Sequence, residues 1–265
     1  MAPAASPSSA AATAAIIRVE NFRAEYDGKL VLKDLNFDVQ RGEVLVIGGG
    51  SGCGKSTVLK HMIGLYRPAA GRIFIDGDDM VTASHAQRQL IQRKFGVAFQ
   101  GGALFGSISV LENVSLPLRE FTLLTEPQIQ MVALTKLRLV NLEDAAQKLP
   151  SELSGGMQKR AAIARALALD PAIVFLDEPS AGLDPITSAS LDQLLLTLNR
   201  LLHTTFVVVT HELPSIFTIA DRVLVLDAAV KTMVALDKPA VLRDQTSNPW
   251  VHAFFNREPF TAPNR

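Results

Sequence analysis

Residues 43–64 constrain the fold of this chain more than any other stretch. Glu43-Val44-Leu45-Val46-Ile47 is a compact apolar run suited to a strand buried on both faces. Gly49-Gly50-Ser51-Gly52-Cys53-Gly54-Lys55-Ser56 follows and satisfies G-x-x-x-x-G-K-[ST], with Thr57 next and a helix predicted over about 55–64. The glycines let the backbone curl until consecutive N–H groups point at phosphate oxygens. The helix N-terminus adds a partial positive charge. Lys55 offers a full charge to β- and γ-phosphates, and Ser56 a hydroxyl to Mg²⁺. Cys53 reads as a passive occupant of the loop. Such a loop serves kinases, GTPases, nucleic-acid motors and transport ATPases alike, so the rest of the chain has to choose.

Composition narrows the field. With 48% hydrophobic and 20% charged residues among 265, a substantial core is available. Lys+Arg and Asp+Glu each total 26. That balance argues against a nucleic-acid backbone as the main partner, which would call for a basic excess. A single cysteine excludes an internal disulfide framework and fits a reducing, cytosolic compartment. No apolar run reaches the roughly 18 uncharged residues that suggest a membrane span. Residues 1–15 are Ala, Pro and Ser without charge, and read as a flexible tail rather than a signal. Work at a membrane would therefore go through a partner chain.

Strand and helix patterns alternate. Segments 16–20 and 35–39 have the period of half-buried strands, and Asp27-Gly28 reads as a turn between them. Short strands are predicted at 72–76, 95–99, 172–176, 205–209 and 223–226. The stretch 110–169 looks helical, broken at Pro150-Ser151, with Ile129, Ala133, Leu137 and Val140 on one face. Leu191, Leu194, Leu195, Leu198 and Leu202 form an apolar stripe read as core. The expected fold is α/β: a mostly parallel, helix-flanked sheet with a helical insertion.

Three strands deliver polar residues to the edge where ligands sit in such sheets. Ile173-Val174-Phe175-Leu176 ends in Asp177-Glu178. Asp177 is placed to hold Mg²⁺. Glu178 projects differently and is the candidate to take a proton from an attacking water. His211 follows an apolar strand and is expected at the γ-phosphate. Gln100 repeats the logic after Val97-Ala98-Phe99, facing Mg²⁺ or the water. Leu153-Ser154-Gly155-Gly156-Met157-Gln158 opens a helix with Ser154 as N-cap and two glycines uncovering first-turn N–H groups. That makes a second anion site with no lysine of its own.

These motifs, with Ser180-Ala181-Gly182-Leu183-Asp184, stand in the order seen in ATP-binding cassette (ABC) ATPases. They resemble that family's Walker A, Q-loop, signature, Walker B, D-loop and switch histidine. Met157 stands where the signature usually has Gln, a position whose side chain need not touch phosphate. Tyr26 is similar to the aromatic that stacks on adenine. The resemblance implies a P-loop NTPase core of the ABC type over 16–240. An N-terminal antiparallel β-subdomain, a helical subdomain over about 101–165 and a C-terminal extension over 241–265 would complete it. It implies MgATP hydrolysis in a head-to-tail homodimer, with Ser154, Gly155, Gly156 and Asp184 acting in trans. Asp184 would cap the leucine-striped helix, with Pro185 first in it.

Residues 99–105, 113–120, 150–157 and 184–187 further resemble the ATPases of bacterial phospholipid-trafficking systems of the Mla type, which work with MCE-domain proteins. That likeness implies a separate permease dimer in the inner membrane, with this chain peripheral on its cytoplasmic face. Leu104, Phe105, Ile108 and Leu111 are the candidate groove for a permease helix. An importer of small polar solutes and a soluble non-transport ATPase are the alternatives. Trp250, Phe254 and Phe255 fall at helical spacing, docking either on their own domain or on the second copy.

Overall fold

The computed structural model describes residues 15–260. Most of the expected tail, 1–14, lies outside the described residues, but Ala15, counted with it above, opens the first strand. β1 (Ala15–Tyr26) and β2 (Lys29–Gln40) form a hairpin turned by Asp27 and Gly28, at φ 49° and 73°. Two residues at positive φ are what a tight hairpin turn requires. Both strands run 12 residues, well past the alternating segments 16–20 and 35–39. Register shifts between Val19 and Phe22, and left-handed Asn21 and Asp34, interrupt the period of two on which strand signals depend.

The next elements are β3 (Val44–Gly49), α1 (Lys55–Met62), β4 (Ala70–Ile75), β5 (Asp78–Asp79), α2 (His85–Gln92) and β6 (Phe95–Ala98). The helical stretch then resolves into α3 (Val110–Phe121), α4 (Glu126–Leu139), two 3-10 turns and α5 (Gly155–Ala166). The second of those turns, Pro150–Glu152, is the expected break. β7 (Ile173–Asp177), α6 (Pro185–Leu202), β8 (Thr205–Val209), α7 (Leu213–Ile219) and β9 (Arg222–Asp227) follow. β10 (Thr232–Asp237), α8 (Pro239–Asp244) and α9 (Pro249–Asn256) complete the described chain.

Two sheets organise these elements. β2-β1-β4-β5 is antiparallel, and β10-β9-β3-β8-β7-β6 is parallel except for the β10 edge. Every residue of β3, β7 and β8 is buried, as their unbroken apolar runs require. Val44, Val46, Val174, Leu176, Phe206 and Val208 face a core built with α3–α9. Their neighbours Leu45, Ile47, Ile173, Phe175, Val207 and Val209 face a core shared with β1, β2, β4 and α1. Leu191, Leu194, Leu195 and Leu198 are buried as expected, and Leu202 is half-buried. Leu111 is also core, which takes it out of the candidate groove for a permease helix; Phe105, 59% exposed, remains available.

Asp192 shares the buried side of α6, only 4% exposed. Burial pushes its carboxyl up to about 6, with Ser215 pulling the other way and the charge of Glu212 adding to the rise. A folded value above the unfolded 3.8 means the native state holds this proton more tightly. Its contribution to stability is therefore present below ~pH 4 and lost as pH rises through ~6. Asp192→Asn removes the titration. We expect its Tm to gain on wild type by several degrees between ~pH 4 and ~pH 7, then to level off. A Tm difference that stays constant across that window would place the charge cost elsewhere.

Candidate active site

Parallel registry brings the candidate catalytic residues together. Ile47 pairs with Val209 and Val209 with Asp177, so the ends of β3, β8 and β7 fall level. A cavity of about 560 Å³ opens there, lined by the loop after β3 and by Gln100, Glu178 and His211. Its floor needs glycine at two points. A Cβ on Gly49, at φ +136°, would lie 2.4 Å from the Leu226 carbonyl oxygen. One on Gly54, the N-cap of α1 at φ +100°, would lie 2.8 Å from Leu32.

Lys55 is buried, and its ammonium donates to the carbonyls of Gly49 and Gly50, each at 3.0 Å. The cation is thus held at the mouth of the loop. Ser56 Oγ donates to Asp177 Oδ1 at 3.0 Å, joining α1 to the end of β7. Burial raises the Asp177 carboxyl, the Ser56 bond opposes this, and the Glu178 charge adds to it. Glu178 takes left-handed backbone at φ 48°, with its N–H donating to the Val209 carbonyl at 2.8 Å. That turn aims it away from Asp177 and into the cavity. Its Oε1 pairs with His211 Nδ1 at 2.8 Å, while Oε2 is buried with no hydrogen-bond partner among the described residues. The two oxygens therefore have distinct surroundings, one oriented by the histidine and one free to accept.

Gly49, Gly50, Ser51, Gly52, Gly54, Lys55, Ser56, Thr57, Gln100, Glu178 and His211 all line the cavity. Cys53 is buried, its thiol pushed up by burial and drawn down by Lys55. Tyr26 lies off the lining, in a cluster with Tyr66 (ring centroids 5.5 Å) and His61 (6.2 Å). Ser154, Gly155, Gly156 and Asp184 also lie off the lining. Ser154 caps α5 by accepting from the Met157 N–H, and Asp184 caps α6 by accepting from Ile186 and Thr187. A Cβ on Gly156 would stand 2.6 Å from Thr187 Cγ2, so these two helix starts abut. Among the described residues, the glycine-rich loop with Lys55 and Ser56 thus stands apart from the glycine-opened helix tip at Ser154.

Three residues beyond the motifs also belong here. Lys159 of α5 donates to the carbonyls of both Gln100 and Glu178. Arg165 donates to Ala103 (2.7 Å) and Gly102 (2.9 Å). Together they tie the helix that begins at Ser154 to the Gln100 loop. The sequence signal was three cations, Lys159, Arg160 and Arg165, within an Ala-rich helix, where a buried charge needs a partner. The third, Phe254, lines the cavity from α9.

Residues 32–181 match the family model described as ABC transporter. The chain belongs to the ABC transporter family. It is 41% identical over 206 residues to the Haemophilus influenzae intermembrane phospholipid transport system ATP-binding protein MlaF, covering 78% of each chain. It is 40% identical over 232 residues to the Mycobacterium leprae probable ribonucleotide transport ATP-binding protein mkl, covering 85% of this chain and 67% of that one. The chain spans about two thirds of the length of these mycobacterial relatives, 65% for the Mycobacterium tuberculosis one. The ATP-binding cassette MJ0796, solved as a dimer in a post-hydrolysis state with ADP and Pi, superposes with a TM-score of 0.76 at 33% identity. That match covers 84% of this chain and 98% of the other. The cassette cbiO1 from Clostridium perfringens, part of the ABC transporter complex cbiONQ, gives 0.78 at 32%, covering 85% and 89%. The fold is that of an ABC ATPase, and ATP hydrolysis is its activity. No helix among the described residues is long and apolar enough to cross a membrane.

Proposed function

We propose that this cassette works as a head-to-tail homodimer, hydrolysing MgATP to drive phospholipid movement through a separate membrane permease. The observation that carries the dimer is the split just described: Ser154, Gly155, Gly156 and Asp184 lie off the cavity that holds Lys55 and Glu178. A second copy related by a two-fold axis would set each helix tip over the partner's phosphate loop. Tyr26 would take the adenine. In each cavity Lys55 leaves its own loop carbonyls to bind β- and γ-phosphates. Ser56, Asp177 and Gln100 fit Mg²⁺, since a hydroxyl and a carboxylate already meet at 3.0 Å there. The ion supplies charge neutralisation at the phosphates. Glu178 Oε2 accepts a proton as water attacks the γ-phosphorus and its bond to the β-phosphate oxygen breaks, releasing ADP. His211 fixes Oε1 and with it the carboxylate plane.

The MlaF relatives favour phospholipid as cargo. In this reading an MCE-domain protein shares the assembly and this chain is peripheral on the cytoplasmic face of the inner membrane. Residues 101–165 form the helical subdomain in this reading, and 241–260 the described part of the C-terminal extension. The mkl relatives favour a second reading, import of a small polar solute. Purification from native membranes followed by mass spectrometry separates them. We expect an integral permease, an MCE-domain protein and bound phospholipid. A periplasmic solute-binding protein in their place would support the second reading.

A further inference from the structure

α9 is amphipathic in an unusual sense, because both of its faces are used. Val251, Ala253 and Phe255 are buried in the core, with Phe255 meeting Phe217 edge to face at 5.9 Å. Asn248 caps the helix by accepting from the Trp250 and Val251 N–H groups. Asn256 closes the other end by donating to the Arg243 carbonyl at 3.1 Å. The helix is therefore packed on its own domain. Its other face carries Trp250 and Phe254, one turn apart, stacked at 5.6 Å with planes 20° apart. Phe254 lines the same cavity as Lys55, Ser56 and His211. Trp250 Cζ2 stands 3.8 Å from where a Cβ on Gly50 would be, against the first turn of the phosphate loop.

We propose that this aromatic face is a wall of the nucleotide site in cis, with Phe254 contacting the bound nucleotide and Trp250 backing both Phe254 and the loop. The inference rests on the ATPase reading above and adds to its site a residue outside every motif of the cassette. A rigid apolar wall beside a triphosphate keeps water from one side of it. The bonds from Lys55 and the loop N–H groups then act in a lower dielectric. Phe254 is held by a helix whose opposite face is core, so the wall needs no ordering when nucleotide enters.

Trp250 is the only tryptophan in the 265 residues, so its emission reports this wall alone. The full chain is titrated with MgADP and MgATP, following Trp250 emission and, in parallel, bound nucleotide by equilibrium dialysis. We expect an emission change whose midpoint matches the dialysis Kd. We expect Phe254→Ala to raise that Kd about three- to tenfold, and Phe254→Leu to recover most of the loss. Tm without nucleotide should hardly move in Phe254→Leu, and the nucleotide-induced rise in Tm should shrink in Phe254→Ala. Should Phe254→Ala fail to fold, the wild-type emission and Phe254→Leu decide. Binding by dialysis with silent Trp250 and unchanged Kd in the variants would overturn the wall while leaving the ATPase reading intact. No binding to wild type at all would overturn that reading, and the wall with it.

Discussion

Glu178→Gln is expected to lower ATP hydrolysis by about 10²–10⁴-fold while leaving ATP binding close to wild type. The substitution keeps size and shape, so the left-handed turn at 178 and the N–H bond to Val209 persist. It replaces a carboxylate that can take a proton with an amide that cannot. Binding should survive because, in the proposed site, Lys55, Ser56 and the loop N–H groups hold the phosphates, and none depends on the Glu178 charge. If ATP closes the dimer and hydrolysis opens it, the variant accumulates as an ATP-bound dimer. Single-turnover phosphate release, with size-exclusion chromatography in MgATP, reads both effects. His211→Ala should also slow hydrolysis, by loss of the 2.8 Å contact that orients Oε1. Turnover at wild-type rate in Glu178→Gln would remove Glu178 from the role of base.

The sequence was most legible where chemistry demands rare residue types at fixed spacing. Gly49 to Thr57, Gln100, Asp177, Glu178 and His211 converge because each ends or follows a buried parallel strand, and unbroken apolar runs mark such strands plainly. Asp184 and Ser154 cap their helices as short polar residues before a helical run do. What escaped was set by tertiary contact or by broken periodicity. β10 and α2 have weak patterns, since β10 is a half-buried edge and only Ile91 of α2 is buried. The full length of β1 and β2 was hidden by bulges at Asn21 and Asp34. Lys159 and Arg165 reach the Gln100 loop across 59 or more positions in sequence, and Phe254 acts from an extension that no motif marks. Leu111 went to the core because helical position, not hydrophobicity alone, decides which apolar side chains stay exposed.

The second large effect is expected at Ser154, which within one chain lies off the cavity that Lys55 lines. Ser154→Arg should reduce hydrolysis by at least about 10²-fold, the order lost when a phosphate-stabilising group is removed. Binding of ATP to the isolated chain should change little, because the altered residue lies off the cavity. Loss of the cap costs about 1 kcal/mol. α5 tolerates that, anchored by Lys159 and Arg165 and by the buried Ala161, Ala162 and Ile163. In the proposed dimer the damage therefore falls on the seam, where a long cation would replace a small hydroxyl at a helix tip that approaches the partner's nucleotide. The Glu178→Gln background isolates this step from chemistry. Glu178→Gln alone should run as a dimer in MgATP, whereas the Glu178→Gln, Ser154→Arg double variant should stay monomeric with ATP bound. Mixing Ser154→Arg with Lys55→Ala chains supplies the positive control, since one of the two composite sites then regains an intact Lys55 and an intact Ser154. Ser154→Arg chains that lose ATP binding as monomers would place Ser154 in its own chain's site, and the division of labour between two copies would fall.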